Sequence, residues 1–121
     1  MNGTLGAYKN VAIATADPGA LVLQLFDGAL RFLGRATKAL EAGDVAGFAA
    51  AVNRAHAIIA ELSNSLDREA GSAAAEDLDR LYEFMLRYLT EGLAQKSAPH
   101  VARVAALLVP LREGFDGAIR G

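Results

Sequence analysis

Regularly spaced helix-start and helix-stop signals constrain this chain more than any other feature. The segment "TADPG" supplies Asp17 as an N-cap and Pro18 at the first helical position, where its missing N–H costs nothing. Gly43 is a stop signal for this first helix, and Asp44 is a cap for the second. Between these signals the apolar residues follow the helical period of about 3.6 and not the strand period. They fall at positions 21, 22, 25, 29, 32, 33, 36 and 40.

Three further segments repeat this pattern and are predicted to be helices at about residues 45–67, 73–95 and 97–119. The "DREAGSAAA" segment breaks the second helix at Gly71, and Ser97 is the expected cap of the fourth, with Pro99 in its first turn. Pro110 should kink the fourth helix because it removes one backbone hydrogen bond. Four helices of similar length with short links predict an all-α fold, an antiparallel up-down four-helix bundle at residues 17–121. Residues 1–16 are rich in small residues without sustained periodicity, and are predicted to form a flexible N-terminal tail.

The stretch "LFDGALRFL" places a typical hairpin pair, Asp27 and Gly28, in the middle of the first helix. The apolar period continues through the pair without a phase break, so it is predicted to lie inside the helix. A glycine there costs about 1 kcal/mol relative to alanine. Either the helix tolerates this cost, or a close helix crossing offsets it; the second interpretation is favoured. No strand precedes the pair, which argues against a phosphate-binding loop.

Composition excludes several classes of function. The 121 residues carry 12 basic and 14 acidic side chains and a net charge of −2, so no basic surface is predicted to bind nucleic acid. The absence of cysteine removes disulfides and thiolate metal sites and fits a reducing compartment. No apolar run reaches the roughly 18 residues of a membrane span, so no membrane insertion is expected. A cytoplasmic domain is predicted.

The side chains that could support chemistry in a bundle core do not form a recognisable site. Di-iron bundles need Glu-x-x-His pairs, but the residues three before His56 and His100 are Asn53 and Ser97. Each histidine is predicted to be a surface or boundary residue; haem ligation by the pair stays open as an alternative. The acidic residues near the start of the third helix fit its dipole. No nucleophile motif is present, so neither an enzyme nor a cofactor is predicted.

Apolar surface is what the third helix has in excess. On a helical wheel its large apolar residues cover an arc of roughly 200°, about twice what a bundle core needs. They are Leu78, Leu81, Tyr82, Phe84, Met85, Leu86, Tyr88, Leu89 and Leu93. Either neighbouring side chains cover the surplus, or this stripe and Ile58 of the second helix form a groove for an amphipathic partner helix.

The separation of core from groove is predicted as follows. Leu81, Met85 and Leu89 lie near the centre of the arc and are expected to serve the core. The edge positions are expected to face the partner, and these are Tyr82, Leu86 and Leu93 of the third helix and Ile58 and Leu62 of the second.

A run of motifs resembles a known family. Tyr8 is followed by "ATADP", "LVLQLFDGALRFLGRA", "GD", "AHAIIAELSNSLD" and "LDRLYEFM", in an order that covers almost the whole chain. Together they resemble the flagellin-specific export chaperone family, FliS. The most specific element is the cap, a small residue followed by proline, together with the motif Leu-x-x-x-Leu-aromatic-Asp-Gly-Ala that comes after it.

The resemblance implies a chaperone that binds the C-terminal segment of newly made flagellin in the cytoplasm, prevents premature polymerisation and presents the subunit to the flagellar export gate. It implies no nucleotide and no metal, and it is compatible with a weak homodimer. The residues expected to bind flagellin are Ile58, Leu62, Leu66, Leu78, Tyr82, Met85, Leu86, Leu89 and Leu93. The rival hypothesis is a helical adaptor protein that self-associates through the same stripe.

Three apolar residues of the tail, Leu5, Tyr8 and Val11, are spaced by three in an otherwise small and polar segment. The segment is either a disordered end or a cover for the empty groove that the client displaces. Docking of these residues to the export gate is a further hypothesis.

Overall fold

The computed structural model describes residues 17–67 and 72–120, and four α-helices contain most of them. These are α1 (Pro18–Glu41), α2 (Val45–Asn64), α3 (Ala73–Gln95) and α4 (Ala98–Arg120). Each helix packs on the next one in the chain, and α1 also packs on α4, so the four helices close into a ring. No strand occurs within the described ranges. The predicted all-α up-down four-helix bundle is confirmed; the predicted tail and the break at Gly71 lie outside the described residues.

Side-chain caps explain where the helices begin. The Asp17 carboxylate accepts the Ala20 N–H at 3.1 Å, and Asp44 accepts the Gly47 N–H at 2.8 Å. Ser72, which precedes α3, accepts the Ala75 N–H through its hydroxyl at 3.0 Å. Each bond satisfies one of the N–H groups that the first helical turn leaves without a partner. Helix starts are thus determined by short local motifs.

Two helix ends have their own local causes. The N–H and hydroxyl of Ser65 both donate to the Glu61 carbonyl, and α2 ends at Asn64, three residues before the predicted end. At the end of α3, Lys96 has a left-handed backbone with φ of 52°, and the Ser97 N–H donates to the Gly92 carbonyl at 2.9 Å. This is the hydrogen bond of a Schellman cap, which reverses the chain into α4 within two residues. Helix α4 then continues through Pro110, whose predicted kink stays a prediction.

The core lies on the axis of the ring, and all four helices contribute to it. Phe26 of α1 and Phe115 of α4 meet there with ring centroids 6.0 Å apart. The buried apolar side chains are Val22, Phe26, Ala29, Leu33, Ala36, Phe48, Ala51, Val52, Ala55, Ile59, Leu62, Leu66, Ala75, Tyr82, Met85, Leu89, Val101, Val104, Leu108 and Phe115.

Gly28 is buried inside α1, on the side that packs against Ile58 of α2. A Cβ atom placed on it would lie 3.3 Å from Cδ1 of Ile58. The prediction that the Asp-Gly pair lies within a helix is confirmed, and the close-crossing interpretation of the glycine is confirmed with it.

The first and last helices are joined by polar contacts at their surface. The Arg112 Nε donates to Asp27 at 2.9 Å, and Asp116 accepts a hydrogen bond from Arg120 on the same helix at 2.7 Å. The hydrogen bond that Asp27 accepts raises the pKa of the Arg112 guanidinium above its ordinary value. Nearby, the Ile119 side chain packs over Gly19, where a Cβ would lie 3.0 Å from Cγ2. The start of α1 and the end of α4 therefore lie side by side.

The crossing of α3 and α4 leads to a stability prediction at Gly92. A Cβ placed on Gly92 would lie 2.6 Å from Cβ of His100, an atom that cannot move unless the α4 backbone moves. Replacement of Gly92 by alanine should therefore lower the free energy of unfolding by about 1–3 kcal/mol, as overpacking does. Urea denaturation followed by circular dichroism measures the change.

Gly34 provides the matched control, because it is an exposed glycine within α1 and a Cβ added there would meet no neighbouring atom within 4 Å. Alanine at Gly34 should raise the free energy of unfolding by about 0.5–1 kcal/mol, which is the propensity gain alone. Equal stabilisation by both substitutions would contradict the close approach of α3 to α4.

Candidate functional site

The nine residues predicted to bind a partner do not share one environment. Five of them are at most 1% exposed and belong to the core: Leu62, Leu66, Tyr82, Met85 and Leu89. The other four are half-buried at the surface of the bundle, namely Ile58, Leu78, Leu86 and Leu93. The prediction that Tyr82 and Leu62 lie at the edge of a groove is therefore wrong.

The orientation of α3 explains the error at Tyr82. This residue lies on one helical line with Ala75, Leu78, Met85 and Leu89, spaced by three or four residues, and that line faces the core. Leu81, the predicted centre of the core stripe, is only half-buried. The apolar stripe is present as predicted, but its buried centre is rotated towards Tyr82.

The error at Leu62 has a similar cause. Leu62 continues the buried line of α2 that contains Ala55 and Ile59, so its side chain points into the core, and Leu66 is buried just after the helix ends. Ile58 lies beside that line and reaches the surface.

Two of the remaining candidates, Ile58 and Leu86, are separated by α2, whereas Leu78 and Leu93 do not line the recess of either residue. Ile58 lines a recess between α1 and α2, whereas Leu86 lines a recess on the outer surface of α3 together with His56. His56 and Ile58 are two positions apart, which places them roughly 200° apart around the helix. The structure thus replaces the single predicted groove with two surfaces, one on each side of α2.

The first surface is called the α1–α2 groove. Near Ile58 it contains a recess of about 520 Å³, lined by Leu21, Gln24, Leu25, Asp27, Gly28, Arg31 and Ile58. Further along the same helix pair lies a second recess of about 350 Å³, lined by Phe32, Arg35, Ala39, Gly47, Ala50, Ala51 and Arg54. Both recesses expose apolar side chains or small residues between two antiparallel helices.

Phe32 lines the second recess at its end nearer to the first, and three arginines surround it. The guanidinium carbons of Arg31, Arg35 and Arg54 lie 5.4, 5.0 and 5.6 Å from the centre of its ring. These distances fit cation–π contacts. Within residues 17–67 and 72–120, no carboxylate forms an ion pair with any of these three side chains. The three arginines are called the arginine cluster below.

The second surface is the α3 recess, a shallow depression of about 490 Å³ lined by His56, Phe84, Leu86, Arg87, Tyr88, Thr90 and Glu91. Aromatic stacking orders it: Tyr88 stacks on Phe84 with centroids 5.1 Å apart and on His100 of α4 at 4.2 Å. The His100 Nδ1 lies 2.7 Å from the Ser97 hydroxyl. Tyr88 and Phe84 therefore occupy fixed positions at the surface.

Comparison with known proteins identifies the family. The sequence profile described as "Flagellar protein FliS" matches residues 1–121. The chain belongs to the FliS family. It is 36% identical over 114 residues to the flagellar secretion chaperone FliS of Salmonella typhimurium, covering 90% of this chain and 84% of that relative. It is 33% identical over 114 residues to the flagellar secretion chaperone FliSB of Pseudomonas aeruginosa, covering 91% and 90%. The Bacillus subtilis FliS is 29% identical over 114 residues, covering 94% and 84%.

Membership of the FliS family confirms the resemblance and places the chain among flagellar secretion chaperones. Within the described ranges, no three histidines, cysteines or carboxylates come close enough together to hold a metal ion. No helix of the same ranges is long and apolar enough to cross a membrane. Leu5, Tyr8 and Val11, the candidate tail residues, lie outside the described residues.

Several residues of this FliS-family surface were not predicted from sequence: Phe32, Arg35 and Arg54. A signal was present, because α1 has a second apolar line beside its core line. That second line contains Leu21, Leu25, Gly28, Phe32 and Ala39, at successive spacings of four, three, four and seven. The position of Arg54 beside Phe32 depends on the register between two helices, which no local pattern reveals.

Proposed function

We propose that this FliS-family protein is a cytoplasmic chaperone for flagellin. It binds the disordered C-terminal segment of the subunit, prevents premature polymerisation and delivers the subunit to the flagellar export gate. One observation supports this proposal above others: a chain of this family partly exposes apolar side chains on both sides of α2, in recesses beside the core.

Coupled folding and binding is the mechanism that fits these surfaces. A disordered client loses conformational entropy when it becomes helical, at a cost of about 2–5 kcal/mol. Burial of its apolar face against the bundle offsets this cost, and a helix in a groove is a common mode of such recognition. A segment that crosses α2 can reach both the α1–α2 groove and the α3 recess. Binding of this kind needs neither catalysis nor a cofactor.

The burial of the predicted residues narrows the proposed client-binding set. Leu62, Leu66, Tyr82, Met85 and Leu89 support the bundle from inside and are not proposed to touch the client. Ile58, Leu78, Leu86 and Leu93 remain proposed contacts because they are partly exposed. Leu5, Tyr8 and Val11 remain proposed as a cover of the empty surface or as a contact of the export gate.

Ile58 allows a direct test of client binding. An Ile58→Glu variant should bind a peptide of the flagellin C-terminal segment at least about tenfold more weakly, equivalent to ~1.4 kcal/mol, because it places a charge in an apolar recess. Isothermal titration calorimetry measures the affinity, and a circular dichroism melt on the same preparation measures folding. Ala102→Glu is the matched control, since Ala102 is an exposed alanine of α4 and lines neither surface.

Wild-type affinity in both variants would place the client elsewhere. Equal binding of full-length flagellin and of flagellin without its C-terminal segment would reject the proposed client. The adaptor hypothesis would be favoured if the wild-type protein self-associates, Ile58→Glu abolishes this self-association, and neither protein binds flagellin.

A further inference from the structure

Within residues 17–67 and 72–120, the arginine cluster is a patch of positive charge without an ion-pair partner, on a protein whose net charge is negative. Arg31, Arg35 and Arg54 are all exposed, and their guanidinium groups converge on one half-buried ring, that of Phe32. A guanidinium over an aromatic ring keeps its N–H donors at the rim of its plane, where they can still bind a carboxylate in a bidentate manner. The cluster thus combines an apolar contact with several charge-assisted donors.

The α1–α2 groove sets the shape of what can dock on this patch. It runs parallel to both helices and contains two recesses, the second of which begins at Phe32. The two recesses are centred roughly ten residues apart along α1, or about 15 Å at the helical rise. A helix of about 18 residues would span the groove and could place one apolar side chain in each recess.

The positive charge of the arginine cluster determines which kind of helix can bind in the groove. Residues 1–16 contain Lys9 and no aspartate or glutamate, so the tail of this chain does not complement the arginines. A partner with carboxylates beside its apolar stripe complements them, because ion pairs in a partly desolvated groove are stronger than in water.

We propose that the α1–α2 groove binds an acidic amphipathic helix. Its apolar residues occupy the recess at Gly28 and Ile58 and the recess at Ala39 and Ala51, and its carboxylates bind the arginine cluster around Phe32. This inference rests on the proposed function, because the α1–α2 groove is one of the two client surfaces proposed there, and it adds the chemistry that the groove selects.

A matched pair of synthetic peptides tests the proposal. Both are helical, about 18 residues long, with leucines placed for the two recesses and an alanine opposite Phe32. One carries glutamates on both flanks of that alanine, and the other carries lysines at the same positions. In fluorescence anisotropy titrations the acidic peptide should bind the wild-type protein at least about tenfold more tightly than the basic one, and added salt should weaken it.

Charge reversal of the protein supplies the second arm of the test. The double variant Arg35→Glu and Arg54→Glu should bind the acidic peptide more weakly and the basic peptide more tightly than the wild-type protein does. If the arginines had only a structural role, the preference between the two peptides would not reverse. Arg103→Glu, at an exposed position of α4, should leave both affinities unchanged. Equal binding of the two peptides to the wild-type protein, or equal weakening by Arg103→Glu, would overturn the proposal.

Two further measurements separate this inference from its rivals. If sedimentation shows wild-type dimers that the double variant abolishes, and the acidic peptide does not bind, the occupant is a second copy and the proposal fails. The flagellin C-terminal peptide is titrated into the same proteins. If the wild-type protein binds the flagellin peptide but not the acidic synthetic peptide, only the present inference is refuted. If it binds the acidic synthetic peptide but not the flagellin peptide, only the proposed client is refuted.

Discussion

A Tyr82→Glu variant should lose most of its helical circular dichroism signal at room temperature. The Tyr82 side chain is 0% exposed, so the substitution removes a large aromatic contact from the core and buries a carboxylate in its place. Truncation of a buried aromatic side chain costs about 3–5 kcal/mol, and an uncompensated buried charge costs a similar amount. The sum is comparable to the whole stability of a typical domain, about 5–15 kcal/mol. Thermal melts and urea titrations measure the loss.

Phe84→Glu is the control for this prediction. Phe84 lies two positions from Tyr82 on the same helix, but it is half-buried and lines the α3 recess at the surface. The same new charge remains in water there, so this variant should stay folded. Should Tyr82→Glu melt like the wild type, Tyr82 would lie at the edge of the stripe and the rotation of α3 described above would be wrong.

A Phe26→Ala variant should lower the free energy of unfolding by about 3–5 kcal/mol. The Phe26 side chain is 1% exposed and packs against Phe115, which links the first helix to the last. Its loss leaves a cavity at the contact that closes the ring. Phe32→Ala removes an aromatic ring from the same helix at a half-buried position and should cost only about 1 kcal/mol.

A double-mutant cycle shows whether the aromatic pair itself matters. Phe26→Ala, Phe115→Ala and the double variant should give a coupling energy of about 0.5–1.5 kcal/mol, as expected for two rings in contact. Strict additivity of the two substitutions would contradict the contact between α1 and α4.

Local chemistry explains which parts of the fold are predictable from sequence. Asp17, Asp44 and Ser97 are side-chain caps that act within three residues of themselves, so their motifs indicate helix starts without any knowledge of the tertiary structure. The interpretation of Gly28 rests on an unbroken apolar period, which is also local. Four such helices with short links leave few arrangements other than an up-down bundle.

The candidate site is less predictable because it depends on how the helices rotate against each other. Sequence periodicity defines the apolar stripe of α3 but not which part of it faces the core, and for this reason the prediction for Tyr82 is wrong. Arg35 and Arg54 look like ordinary solvated side chains in their own helices. Only the register of α1 against α2 brings both to Phe32.

The packing of Ile119 over Gly19 has a topological consequence. It brings the two ends of the helical ring together, so the order of the helices is cyclic in space although it is linear in the chain. Nearby termini are the condition under which circular permutation is tolerated. A chain that joined α4 to α1 through residues 1–17 and began at α3 would have the same four neighbouring helix pairs.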